Sequence, residues 1–179
     1  MLTGLFGLWE ENSMLDFAGT GAVLSECGTF RWRLDRHVAG SGPVAAVFGI
    51  NPSIADHENN DATVRKWLGF GQCLGWRRFI VGNVFGFRAT DVRAWAAVSD
   101  PFGTGNNQHL REIIAEADVL IPCWGNRTKL PKPLRPNLDS LLALLRASGK
   151  PVRCWGRTAA GDPRHPLTLG YKTPLVDIQ

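Results

Sequence analysis

The residues best suited to chemistry in this chain stand where apolar runs end. The run VAAVF stops at Gly49-Ile50-Asn51-Pro52-Ser53. Gly49 lets a backbone approach a ligand closely, and Asn51-Pro52 fixes a sharp turn. That turn would hold the Asn51 amide at a strand end as both donor and acceptor. An isolated Gly-x-Asn-Pro also serves as a plain turn. A second such point is Asn83-Val84-Phe85-Gly86-Phe87-Arg88. Asn83 inside an apolar strand needs a partner, in the first loop or in a pocket. Phe85 and Phe87 offer either a stacking face or plain core. The third is Cys123-Trp124-Gly125-Asn126, where Asn126 could read a ligand edge, and the fourth opens at Cys154-Trp155-Gly156. Both Trp-Gly ends read mainly as packing. Beyond them comes Gly161-Asp162-Pro163-Arg164-His165-Pro166-Leu167, a loop stiffened by prolines on both sides of His165. Of the four histidines His165 is the candidate for chemistry. His37, His57 and His109 fall where solvent exposure explains them.

A polar cluster, Ala55-Asp56-His57-Glu58-Asn59-Asn60-Asp61, supplies the carboxylates. Asp56 or Asp61 could act on water or on a substrate amide, and Asp61 also reads as a helix N-cap. One loop gives no proper ligand spacing for a hard cation. The cysteines at 27, 73, 123 and 154 form no CxxC pair and no short spacing with histidine. We therefore expect no metal site and no cofactor, and reduced cysteines in a cytoplasmic protein.

These loops need a scaffold that brings them together. Residues 22–37 read as a hairpin through Cys27-Gly28, with Phe30, Trp32 and Leu34 alternating with Arg31, Arg33 and Asp35 as in a half-buried strand. Then come short apolar runs VAAVFGI, RFIVGNVF, ADVLIPCWG and KPVRCWG. Helical patterns separate them: ATVRKWLGFGQCLGW, HLREIIAEA and NLDSLLALLRASG, the last closed by Gly149. This rhythm predicts a three-layer α/β/α domain with a mostly parallel four-stranded central sheet, plus an N-terminal β-hairpin. In such sheets ligands bind outside the carboxyl ends of the strands, which is where the four motifs begin.

At 179 residues and 44% hydrophobic content, the chain suits one domain spanning 1–179. A formal charge of +4 leans mildly towards an anionic partner such as nucleic acid or nucleotide. The opening MLTGLFGLWEEN is apolar but short, lacks a basic leader, and fits neither a signal peptide nor a membrane span. No membrane association and no obligate protein partner are expected.

Several motifs together resemble known families. VFGINPS, RFIVGNVFGFR, VLIPCWGN and His165-Pro166 are similar, in order and approximate spacing, to motifs of the uracil-DNA glycosylase superfamily. RWRLDR, GINPSIAD followed by NDATVRK, NVFGFRATD and PRHPL resemble more closely domain of unknown function 1643, a bacterial and phage group. The first resemblance implies a uracil-DNA-glycosylase-like fold and cleavage of the N-glycosidic bond of a modified or mismatched base in DNA. Asn51 would position a water and His165 would donate to the departing base. Gly49, Ile50, Pro52, Ser53, Asp56, Asp61, Asn83, Phe85 and Asn126 would form the substrate pocket. Arg88, Lys129 and Arg164 would contact DNA, with Lys132 and Arg135 as further cations. Leu167, with Leu169 and Tyr171, would wedge into the gap left by a flipped base, or serve as core.

The chain departs from the superfamily's pattern at Ser53, where the motif has Gly, and at Leu167-Thr168, where it has Ser-Pro. The first narrows a base pocket, and the second removes a serine that would contact the DNA backbone. Two other readings stand beside this one: an enzyme acting on free nucleotides or nucleosides, and a non-catalytic nucleic-acid-binding module on the same fold. Repair and defence against phage DNA are both open as settings.

Overall fold

The computed structural model describes residues 11–15, 20–90 and 98–178. Among the described residues, eight strands run in chain order as β1 (Glu11–Leu15), β2 (Gly21–Ser25), β3 (Arg31–His37), β4 (Val44–Gly49), β5 (Arg78–Asn83), β6 (Val119–Pro122), β7 (Arg153–Cys154) and β8 (Val176–Asp177). The helices are α1 (Ala62–Leu74), α2 (Asn106–Glu116) and α3 (Pro136–Ala147). No helix among the described residues is long and apolar enough to cross a membrane.

Six strands form one mixed sheet in the order β1-β2-β3-β5-β4-β6. β4 pairs in parallel with both β5 and β6, whereas β3 pairs antiparallel with β5. Strand β4 shows why its sequence reads as unbroken apolar: both faces are covered. Val44, Ala46 and Phe48 pack with Leu110 and Ile113 of α2 and Leu138 and Leu141 of α3. Ala45 and Val47 pack with Val64, Trp67 and Phe70 of α1. Alternation along one strand thus separates two cores.

This architecture corrects the expected four-stranded, mostly parallel sheet. The parallel part holds three strands, and the N-terminal hairpin is no appendage, because β3 continues the sheet through β5. The expected fourth parallel strand makes one bridge, Val152 to Leu120, and then Arg153 and Cys154 turn to pair with β8. Its apolar character comes from packing: Trp155 lies fully buried with its ring 4.5 Å from that of Phe70. An apolar run reports burial, and ladder pairing is a separate matter.

A second correction concerns β3 itself. Its first six residues are all buried, so the alternation of arginine with apolar residues does not mark a wet face. Arg33 binds Asp35 through Nε at 2.6 Å and Nη2 at 2.8 Å, and Nη2 also reaches Glu116 at 2.6 Å. Arg78 closes the network on Asp35 and Glu116. Buried charges persist where they are paired and hydrogen-bonded. His109, expected at the surface, is 5% exposed and stacks on Trp32 at 5.5 Å.

Candidate functional site

The carboxyl ends of β4 and β5 lie side by side, with Gly49 paired to Asn83. Because β3 runs the opposite way, it brings its first residue, Arg31, to the same edge, and the Arg31 N–H donates to Gly86 O at 2.9 Å. A bulge sets where Arg31 points. Val23 pairs with Arg33 and Leu24 with Arg31, so Trp32 has no opposite number. The extra residue puts Trp32 and Arg33 together on the α2 side, against His109 and Glu116. Arg31 is thereby turned to the α1 face, where its Nη1 donates to Ala55 O at 2.6 Å.

There the structure holds a cavity of about 270 Å³. Gly49, Ile50, Asn51, Ser53, Asp61, Asn83, Lys129 and His165 line it. So do Arg31, Thr63, Val64, Trp67, Thr90 and Trp124, none of which the motifs mark as site residues. Gly49 has a steric reason to be glycine, since a Cβ there would sit 3.0 Å from Asn83 Oδ1, inside the site. Asp61 caps α1 by accepting from Val64 N–H at 2.8 Å through Oδ1, which leaves Oδ2 for the cavity. The helix does not depend on that cap. Burial of Val64, Trp67 and Phe70, roughly 1.5–3 kcal/mol each, outweighs the cap's ~1 kcal/mol.

Asn51 is oriented by its own amide nitrogen. Nδ2 donates to Ala89 O at 2.6 Å and to Pro52 O at 3.0 Å, so Oδ1 is the atom left as an acceptor. His165 is oriented in the complementary sense. It caps the short turn Pro166–Thr168, its Nδ1 accepting from Leu167 N–H at 3.4 Å. A neutral imidazole with Nδ1 accepting carries its proton on Nε2. Burial, with Lys129 adding to it and Asp61 opposing, holds the imidazole pKa below its ordinary value, so that neutral form prevails at pH 7.

The loop that carries His165 is anchored to the end of β6. Gly125 N–H donates to Pro163 O at 2.8 Å. Gly125 has φ 76°, and a Cβ there would meet His165 Cβ at 3.1 Å. Asp162, fully buried, accepts from Arg127 N–H at 2.9 Å and from its Nε at 2.7 Å. The Trp-Gly motif is therefore a seat for the His165 loop as well as packing.

The model of the family described as Protein of unknown function (DUF1643) matches residues 31–167. The chain belongs to that family. No curated protein and no solved structure matches it. The matched span opens at Arg31 and closes at Leu167, so it encloses every residue that lines the cavity.

Other residues nominated from the motifs sit elsewhere. Phe85 is fully buried, its ring 5.0 Å from that of Phe102, and belongs to the core. Pro52 is buried and takes the Ala89 N–H on its carbonyl. Asp56 closes its own loop, accepting from Glu58 and Asn59 N–H at 2.9 Å each. Asn126 caps a short helical turn through Thr128 N–H at 2.9 Å. Arg88 donates from each of its three guanidinium nitrogens to a carbonyl, of Ser53, Gly28 and Ile54, bracing the loop after β4. Arg135 likewise binds the carbonyls of Leu130 and Thr128. Arg164, Lys132, Leu167 and Tyr171 are exposed, whereas Leu169 is core. Beside the cavity, and sharing Ser53 and Thr90 with it, lies an open groove of about 510 Å³ walled by Phe87 and Ile54.

Proposed function

We propose that this protein is a hydrolase of the DNA glycosylase type, cleaving the N-glycosidic bond of a modified or mismatched base in DNA. The observation that carries the reading is the meeting of Asn51 and His165, far apart in sequence, on one small cavity. Its volume lies just below the ~300–1,000 Å³ of drug-sized ligand sites, which suits a single base or nucleoside. The order of the motifs, similar to that of the uracil-DNA glycosylase superfamily, supports the same reading, as does a site at the carboxyl ends of parallel strands.

The reaction breaks the bond between the sugar C1′ and the base nitrogen. The electron pair leaves with the base, and water adds to C1′ and gives up a proton. Positive charge grows on the sugar and negative charge on the base. His165 Nε2–H donates to a base oxygen as that negative charge develops, and a neutral imidazole does so without repelling the sugar cation. Asn51 Oδ1 accepts from the incoming water and aims it at C1′. Of the two carboxylates nominated, Asp61 lines the cavity, and its free oxygen is the acceptor for the water's proton.

Base release from duplexes carrying defined modified or mismatched bases tests this reading. Asn51→Ala and His165→Ala should each lower turnover by on the order of 10²–10³, with folding intact by circular dichroism. Full turnover in either variant would remove the assigned mechanism.

A further inference from the structure

We propose that the closed end of this cavity is a receptor for an oxyanion, a carboxylate or phosphate carried by the ligand, held by Arg31, Asn83 and Trp124. The proposal rests on the same cavity being the substrate site, and it names what the substrate must carry. The cavity has a depth gradient: Arg31, Asn83 and Trp124 are 3%, 2% and 2% exposed, whereas Asn51 and His165 are partly open and Lys129 stands at the rim.

Of the residues that line the cavity, Arg31 Nε, Asn83 Nδ2, Trp124 Nε1 and Trp67 Nε1 are buried without a hydrogen-bond partner. Unmade bonds of buried polar groups are costly and uncommon, and four on the wall of one cavity mark a place completed by a ligand. All four are donors, and Asn83 adds its Oδ1 as an acceptor near Gly49. A neutral base edge presents N–H groups as well as acceptors and would set donor against donor. A carboxylate or phosphate presents acceptors alone.

Charge points the same way. Arg31 makes no ion pair among the described residues, in contrast to Arg33 on the same strand. Asp61 and Asp56 attract it at longer range, while Arg88 and Arg36 oppose them. Burial pushes the guanidinium down to about 9, so it still enters the site as a full cation at neutral pH. A desolvated cation with free donors gains most from a charge-assisted bond to an oxyanion. Two sources carry that group: the phosphate of a free nucleotide, and an acidic substituent on a base in DNA.

The test measures binding by the full chain to matched pairs of probes, using thermal unfolding and calorimetry. One pair is a deoxynucleoside 5′-monophosphate against its nucleoside, with inorganic phosphate alongside. The other is a duplex containing 5-carboxycytosine against the same duplex with cytosine. In wild type, one charged probe should bind at least ~10-fold tighter than its partner, and Arg31→Met should abolish that preference. A preference for the monophosphate assigns the group to a free nucleotide, and one for the carboxylated duplex assigns it to the base. No preference in wild type, or the same preference in Arg31→Met, overturns the receptor. The wild-type comparison decides the matter even if Arg31→Met does not fold. Base release is read separately. Turnover without anion preference removes the receptor alone, and anion preference without turnover on any DNA removes the glycosidase reading alone.

Discussion

Arg33 and Arg31 leave the same strand two positions apart, 8% and 3% exposed, and their surroundings differ completely. Arg33 is met by two carboxylates, Asp35 and Glu116, and shares them with Arg78. Arg31 is met by one carbonyl, and its Nε has no partner. The bulge at Trp32 separates them, sending one cation to the α2 side of the sheet and the other to the cavity on the α1 side. A paired buried charge builds the scaffold. An unpaired one at a cavity wall is set for something the chain does not itself contain.

The largest expected effect breaks the paired side. Asp35→Ala leaves the buried Arg33 and the half-buried Arg78 with Glu116 alone between them, and unfolding in urea should show a loss of about 3–5 kcal/mol. Arg31→Met is the contrasting case. It removes a charge that has no counter-charge and replaces it with an apolar chain of similar length, so stability should stay within about 1 kcal/mol of wild type. Equal losses in the two variants would erase the distinction between scaffold and site.

The next effect concerns how the site is held together. Asp162→Ala leaves Arg127 N–H and its guanidinium without their buried acceptor, although Asp139 still binds Arg127 from the solvent side. A loss of about 2–3 kcal/mol is expected. Turnover should fall beyond what partial unfolding explains, because the loop that presents His165 loses its anchor. An unchanged His165 NMR signal in the folded variant would show that the loop does not need Asp162.

The motifs at strand ends could be read in the sequence because each couples a buried run to a residue that makes little sense inside it: Asn51 after VAAVFGI, Asn83 within RFIVGNVF. His165 stood out by the prolines around it. Arg31 could not be reached in this way. Arg31 opens an antiparallel strand, and periodicity carries neither the direction of β3 nor the bulge that turns Arg31 about. The same alternation that suggested a wet face for β3 hides Arg33 and Asp35, because pairing partners such as Glu116 come from distant helices. Trp124 was visible as packing, and its unpartnered indole N–H appears only once the neighbours are in place.

The smallest expected effect separates burial from charge at His165. Both lower its pKa, with burial the larger cause and Lys129 the second. Lys129→Met removes the second and leaves the first. The imidazole pKa, read by NMR titration, should therefore rise and still remain below the ordinary histidine value of 6.5. Because the folded state disfavours the charged imidazole, its contribution to stability is complete above 6.5 and is lost as pH falls from there through the folded value. If the neutral imidazole is the donor, the midpoint of the acid limb of turnover should move to higher pH in Lys129→Met, whatever the height of the plateau. An acid limb that ignores Lys129 would mean another group controls it. Asp61, in the same cavity, is the next to replace, by Asp61→Asn.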